Sequence, residues 1–455
     1  MLVIDISQTI PPIARSFDHT GAPYRHAQTL VRLHSTVLGV VKINSAENGV
    51  TALEHANIIW QTLGDKINAH LCANGLCAIS TLTPNGIAFD SSERAKARAA
   101  FLAQAPFVSV IVCTHNRAVS LARCLRSLLK LNYPHFEIIV VDNAPSNDDA
   151  QKMIKNDFAQ ETRVRYVCEA RVGKSCAANT GAMLARGALL AFTDDDVEVD
   201  AHWLTELAMA FRADQNVGCV TGLILPAELE TQAQFWQEEF GGYNRANNFN
   251  LRIFDLHDLS QRRKDEPLYP YTAGNFGAGA NLCFDRTVFM RLGGFDPALG
   301  AGTLTLAAED SDLLFRTVAN GYSIVQQPSA FLFHHQYRDY EHLKLQLYGY
   351  GHGFSAHLIN CVVRRPSSLL DFISMIPYTG FYLFNPKSPK HAKKTKAFPP
   401  ELATIELRGM LVGWFQYLRS RWHYRHVQRP AEGIVTSSPT NIVFHSHISS
   451  QTKSV

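Results

Sequence analysis

The sequence predicts an α/β protein built on an open, Rossmann-like sheet with flanking helices, preceded by a small α+β module and followed by a helical extension. Three observations carry this expectation. From Phe107 onward apolar runs of strand length alternate with segments of helical spacing. Ahead of that, hairpin-like alternation precedes a single long helical pattern, and after about residue 340 helical spacing dominates. At 455 residues the chain exceeds what one hydrophobic core organises. The expected division is therefore 1–105, 106–340, 341–430 and a weakly ordered tail at 431–455.

The first module begins with "TLVRLHSTVLGVVKI", two apolar strands with Ser35 and Thr36 between them. "ALEHANIIWQTLGDKINAHL" follows, with Ala52, Ala56, Ile59, Trp60, Leu63, Ile67 and Leu71 at helical intervals. The charged helix "SSERAKARAAFLAQ" leads to Pro106, which marks the linker. In the central region "FVSVIVCTHN" is a continuous apolar run, as expected for a parallel strand covered on both faces. "RAVSLARCLRSLLKL" places Leu121, Cys124, Leu125, Leu128 and Leu129 on one helical face. "FEIIVVDN" and "VRYVCE" are strands, "SCAANTGAMLARG" is a helix, and "ALLAFTDDD" is a further strand. In such sheets ligands sit beyond the carboxyl ends of the strands. Thr114, Asp142 and the run Asp194, Asp195, Asp196 all fall there. Past residue 338, "EHLKLQLYGYGHGFSAHLINCVV" is a helical pattern interrupted by Gly349, Gly351 and Gly353, and "SSLLDFISMIPYTGFYLF" is amphipathic and aromatic.

The bulk numbers narrow the classes. A net charge of +3 from 43 basic and 40 acidic residues gives no general attraction to nucleic acid. Nine scattered cysteines without a C-x-x-C pair fit a reduced, cytoplasmic protein with neither a disulfide framework nor a zinc site. The opening residues, with Asp5 in their apolar part, make a poor secretory signal, and no apolar run reaches 18 residues.

A single Asp after a strand is ordinarily a cap or a turn residue. Three in succession repel one another, and a cation among them relieves that repulsion; hard carboxylate oxygens suit magnesium or manganese, which bridge to phosphate. A second acidic pair, Glu309 and Asp310, opens a helical pattern containing Leu313, Leu314 and Val318, where a plain helix cap is the alternative. The glycines of "GNFGAGANLCFDR" let backbone approach a ligand closely.

Together, "VSVIVCTHNRAVSLARCLRSLL", "FEIIVVDNAPSND", "RVGKSCAANTGAMLARGALLAFTDDDVEVDAHWL", "GAGANLCFDRTVFMRLGGFDPALGAG" and "AEDSDLLFRTVANGY" resemble the family 2 glycosyltransferases of GT-A fold over about residues 106–340. The flanks are similar, more weakly, to those of bacterial members acting on surface glycans. The resemblance implies inverting transfer of a sugar from a nucleotide diphosphate sugar to a hydroxyl of a glycan or lipid-linked acceptor. It implies Mg2+ or Mn2+ at the aspartate run, with the register open between Asp195 and Asp196 as principal ligand, Asp194 toward the nucleoside, and His334 completing the shell. His334 fits the spacing better than His335. Thr114, Asn116, Arg117 and Asp142 match nucleotide-binding positions; Arg171, Asn179, Gly277, Gly279 and Asn281 complete the donor set. Asp310 takes the place of the catalytic base and Glu309 orients it or the acceptor.

Three departures stand out. Ala178 precedes Asn179 where the family often has Arg, so Arg171 or Lys174 is the substitute cation. Ala307 and Ala308 replace glycines that relatives often carry. "QYLRSRW" has the wrong spacing for the Q-x-x-R-W motif of processive synthases. Phe235, Trp236, Phe240 and Tyr243 are expected to shape the acceptor pocket, with filling of a local core as the alternative. The segment 364–384, followed by Lys387, Lys390, Lys393, Lys394 and Lys396, suits peripheral contact with the inner face of a membrane. Two other classes remain. A sugar-nucleotide nucleotidyltransferase should have an N-terminal Gly-rich phosphate loop, which "SVIVCTHNRAVS" lacks; a non-catalytic sugar-binding protein should have lost the carboxylates, which are present.

Overall fold

The computed structural model describes residues 1–425 other than 18–20, 22, 25, 45–48, 88–92, 243–248, 258, 386, 389, 392, 393 and 396. Tyr243, Lys393, Lys396 and the 431–455 tail lie outside the described residues. The first sheet has three strands, β1 (Leu2–Asp5), β2 (His26–Leu33) and β3 (Thr36–Asn44), with β1 parallel and β3 antiparallel to β2. The hairpin turn is one residue earlier than expected. His34 and Ser35, not Ser35 and Thr36, lie between the strands, both at positive φ (52° and 66°), the geometry whose twist matches a two-residue hairpin. The helix Ala52–Ala73 begins at a capping box, Thr51 with Glu54, and buries Ala56, Ile59, Leu63, Ile67 and Leu71 on that sheet.

The main sheet contains β4 (Val108–Thr114), β5 (Phe136–Asn143), β6 (Val164–Glu169), β7 (Leu189–Asp194), β8 (Val197–Val199), β9 (Val217–Pro226), β10 (Arg252–Phe254), β11 (Leu282–Asp285) and β12 (Ser323–His334). Their order is β10-β12-β9-β11-β7-β4-β5-β6, with β8 also on β12. The strands β7, β4, β5 and β6 run parallel; β11 is antiparallel to both neighbours, which makes the sheet mixed. Alternation along β4 and β5 explains the burial of both faces. Val110, Val112, Ile138 and Val140 meet Leu121, Leu125 and Trp203 on one side, while Ile111, Ile139 and Val141 meet Ala177, Ala182 and Leu313 on the other. The N-terminal sheet packs against this one through Leu30 and Val37 on Leu223, Leu225 and Phe331.

The C-terminal region is helical, as expected, but its glycines do not interrupt it. One helix, Tyr340–Arg364, runs through Gly349, Gly351 and Gly353. The glycines serve contact instead. A Cβ at Gly351 would lie 2.0 Å from the Glu406 carbonyl oxygen, and one at Gly413 would lie 1.9 Å from that of His352, so this helix and Pro400–Tyr424 touch backbone to backbone. Asn360 donates to Asp312 Oδ1 (2.6 Å) and accepts from the Tyr417 hydroxyl (2.6 Å), fastening both helices to the one that starts at Glu309.

Candidate active site

Strand pairing assembles the site. β4 lies between β5 and β7 with Thr114 opposite Asp142 and Cys113 opposite Asp194, so three strand ends open at one edge of the sheet. The chain turns sharply after Asp194 and the three aspartates part. Asp194, Asp196 and His334 each present a ligand atom within 4.8 Å of the others. His334 ends β12 and its Nε2 lies 3.2 Å from Asp196 Oδ1. Asp195, only 4% exposed, has its oxygens engaged: it accepts from the Thr114 hydroxyl (2.7 Å) and from Arg117 (3.1 Å), whose same nitrogen also donates to Asp196 (2.9 Å). Burial and the adjacent Asp196 charge push its carboxyl up to about 6. The structure groups these side chains differently from the expected register. The pair that joins His334 is Asp194 with Asp196, whereas Asp195 is absent from the group because its oxygens hold Thr114 and Arg117 in place. His335 turns instead to Glu198, at 2.7 Å.

Lys174, at the start of the helix Lys174–Leu184, reaches between two carboxylates: 2.5 Å from Asp194 Oδ1 and 3.6 Å from Glu309 Oε1. Burial pushes Asp194 up, but the Lys174 ammonium outweighs it and holds the carboxyl below the usual range. Glu309 receives less compensation; burial, with Asp310 beside it, pushes it up to about 7. Asp310 sits in the first turn of the helix Glu309–Ala319, oriented by the Gly279 N–H on Oδ2 (2.7 Å) and the Ser311 N–H on Oδ1 (2.6 Å). The helix is entered through Ala308 at φ 82°, a left-handed conformation natural to glycine, which gives the Ala-for-Gly departure a backbone meaning.

Thr114, Arg117, Asp194, Asp195, Asp196, Gly277, Gly279, Glu309, Asp310 and His334 all line one cavity of about 1390 Å3. The other expected donor residues do not. Asn179 gives both ends of its amide to the Phe295 backbone, at 2.8 and 2.9 Å. Asn281 is fully buried, donating to Leu223 and Ala330 and accepting from Trp203. Arg171 is engaged by Glu169 (2.6 Å) and Thr180 (3.1 Å), so of the two substitute cations Lys174 is the one in the cavity. Asn116, at φ 55°, accepts from the Ser146 N–H and faces solvent. Asp142 is 1% exposed beneath the cavity floor, accepting from the Tyr166 hydroxyl (2.8 Å), and burial pushes its carboxyl up. Of the aromatics expected to shape an acceptor pocket, Phe240 lines the cavity, while Phe235 is solvent-exposed and Trp236 packs on Tyr340.

Sequence reasoning missed much of the cavity wall. Tyr348, Gly353 and His357 of one C-terminal helix and Tyr378, Thr379 and Tyr382 of the next, Ser368–Phe384, line the same cavity as the carboxylates.

Residues 109–278 match the family model described as Glycosyl transferase family 2. An uncharacterized protein of Sinorhizobium fredii, y4gI, is 31% identical over 235 residues, covering 51% of this chain and 24% of the relative. A glucosyl-dolichyl phosphate glucuronosyltransferase of Haloferax volcanii is 26% identical over 196 residues, covering 42% and 57%. The chain thus spans a quarter to a little over half the length of these curated relatives. Among solved structures, the mannosyltransferase PcManGT from Pyrobaculum calidifontis, in complex with GDP-Man and Mn2+, aligns with a TM-score of 0.42 at 18% identity, covering 70% of this chain and 86% of its own.

Proposed function

We propose that the protein is an inverting, metal-dependent enzyme that moves a sugar from a nucleotide diphosphate sugar to an acceptor hydroxyl, a reading supported by the match of residues 109–278 to the family 2 glycosyltransferase model. The observation that carries the reading is the convergence of Asp194, Asp196, His334 and Asp310 on one cavity. Two carboxylates and an imidazole are a donor set that Mn2+ or Mg2+ accepts. Bound there, the cation supplies positive charge against the departing diphosphate. Arg117 and Lys174, the cavity's basic neighbours of the aspartates, add charge where phosphate oxygens would lie. Asp310 accepts the acceptor proton as the hydroxyl oxygen bonds to the anomeric carbon and the bond to the diphosphate breaks on the opposite face.

A glycan or lipid-linked acceptor in cell-surface polysaccharide synthesis, met at the cytoplasmic face of a membrane, fits this reading. Its support is the aromatic lining from Tyr348, Tyr378 and Tyr382, which suits sugar rings, and the relative named for acting on glucosyl-dolichyl phosphate. Asp310→Asn tests the central role: it keeps the shape of the side chain and removes the base. We expect normal folding and donor affinity with transfer reduced at least about 100-fold. Transfer near the wild-type rate would refute the assignment.

A further inference from the structure

The last two described helices carry apolar surface that no described residue covers. On Ser368–Phe384, the residues Leu369, Leu370, Ile373, Ile376 and Phe384 recur at helical spacing and are 51–71% exposed. The opposite face, with Met375, Tyr378 and Tyr382, turns inward, and both tyrosines line the active-site cavity. Pro400–Tyr424 repeats the arrangement. It buries Leu402, Glu406, Gly409, Gly413, Tyr417 and Ser420, and exposes Leu411, Trp414, Phe415, Leu418 and Trp422 along its other side, at 40–75%. A helix stabilised by burial normally leaves its polar side to water. Here both outward sides are apolar.

Charge identifies what fits them. Residues 372–425 hold nine of the chain's 43 lysines and arginines and only two of its 40 acidic residues, Glu401 and Glu406, so the rest of the chain is net acidic. Glu406 is buried against Lys390 at 2.5 Å and offers no outward charge. Arg408, Arg419 and Arg425 are exposed on the second helix, and Arg365 and Lys387 are exposed at the two ends of the first. An apolar stripe bearing tryptophans and bordered by cations is complementary to a bilayer with anionic headgroups. No described helix is long and apolar enough to cross a membrane, which leaves the helices lying along its surface.

We propose that the exposed faces of Ser368–Phe384 and Pro400–Tyr424 seat the protein on an anionic lipid surface. The inference rests on the glycosyltransferase reading only for its purpose: docking by this face brings the cavity wall made by Tyr378 and Tyr382 to the bilayer, where an acceptor with a lipid tail resides.

The test is sedimentation of the full chain with phosphatidylcholine vesicles, with and without phosphatidylglycerol, at low and high salt. We expect cosedimentation with the anionic vesicles, weakened by salt, and at least a tenfold loss of binding in Leu370→Glu/Ile376→Glu and in Trp414→Ala/Trp422→Ala. Donor hydrolysis without acceptor should be unchanged in both variants, which separates loss of docking from loss of fold. No binding to anionic vesicles, or binding untouched by both variants, would overturn the proposal. So would a concentration-dependent dimer of the wild type, abolished by the same substitutions, since the faces would then be covered by a second copy. Vesicle binding by a protein that hydrolyses no donor would sink the catalytic reading and leave the docking surface standing.

Discussion

Adjacent aspartates meet different surroundings because β7 ends at Asp194, and Asp195 and Asp196 lie in the turn that follows it. All three line the cavity, but only Asp194 and Asp196 group with His334, while the oxygens of Asp195 meet Thr114 and Arg117. The acid run and its affinity for a cation were legible in the sequence; the register was not, because it depends on which neighbours accept the middle carboxylate. Asn179 and Asn281, expected in the donor set, lie outside the cavity lining and are hydrogen-bonded within the fold. An amide is as good a brace for backbone as a ligand for a sugar nucleotide, and only the fold shows both occupied internally. Glu309 gives a pH prediction. Its carboxyl, ordinarily near 4.5, is pushed up to about 7, so the native state binds the proton more tightly than the unfolded chain. Its contribution is therefore fully present below about 4.5 and is lost as pH rises through about 7. Glu309→Gln should raise the melting temperature relative to wild type at pH 8, with a smaller difference at pH 5, by calorimetry in metal-free buffer. An equal offset at both pH values would contradict the burial of an ionisable group there.

The helix Glu309–Ala319 shows how an element carries the chemistry. Its first turn presents Asp310 to the cavity, its apolar side packs Leu313, Leu314 and Val318 on the sheet, and Asp312 holds Arg316 at 2.7 Å in the interior. Removing one partner of a buried ion pair strands the other. Asp312→Ala should cost about 3 to 5 kcal/mol in urea unfolding, since it frees both Arg316 and Asn360. A loss below about 1 kcal/mol, the range of exposed pairs, would show that the clamp is not part of the fold's support. The C-terminal helices were foreseen as helices, but their glycines were read as breaks. Gly351, one of the three so read, instead lies with Gly409 and Gly413 of the partner helix where two backbones meet, a property that no local pattern reveals. Gly413→Val, with its Cβ directed at the His352 carbonyl, should destabilise by about 1 to 3 kcal/mol and shift the urea midpoint accordingly.

At the scale of the molecule, alternating apolar runs foretold the parallel strands β4 to β7, whose local signals are strong because both faces are buried. The insertion of antiparallel β11 between β7 and β9 was beyond such reasoning, being a matter of long-range pairing. That insertion matters to function: with β11 in place, the Gly277–Gly279 segment reaches the strand ends and its amide meets Asp310. The C-terminal helices close the opposite side, so the cavity belongs to the sheet and the extension jointly. On the proposed function, Asp194, Asp196 and His334 hold a divalent cation on which sugar transfer depends. The most direct measurement is release of nucleoside diphosphate from UDP-, GDP- and dTDP-sugars by the purified full chain with Mn2+, with EDTA, and after Mn2+ is restored, in parallel with Asp196→Asn. Turnover of a donor that vanishes with the chelator, returns with the metal and is lost in the variant is the predicted result; turnover equal with and without chelator would contradict it.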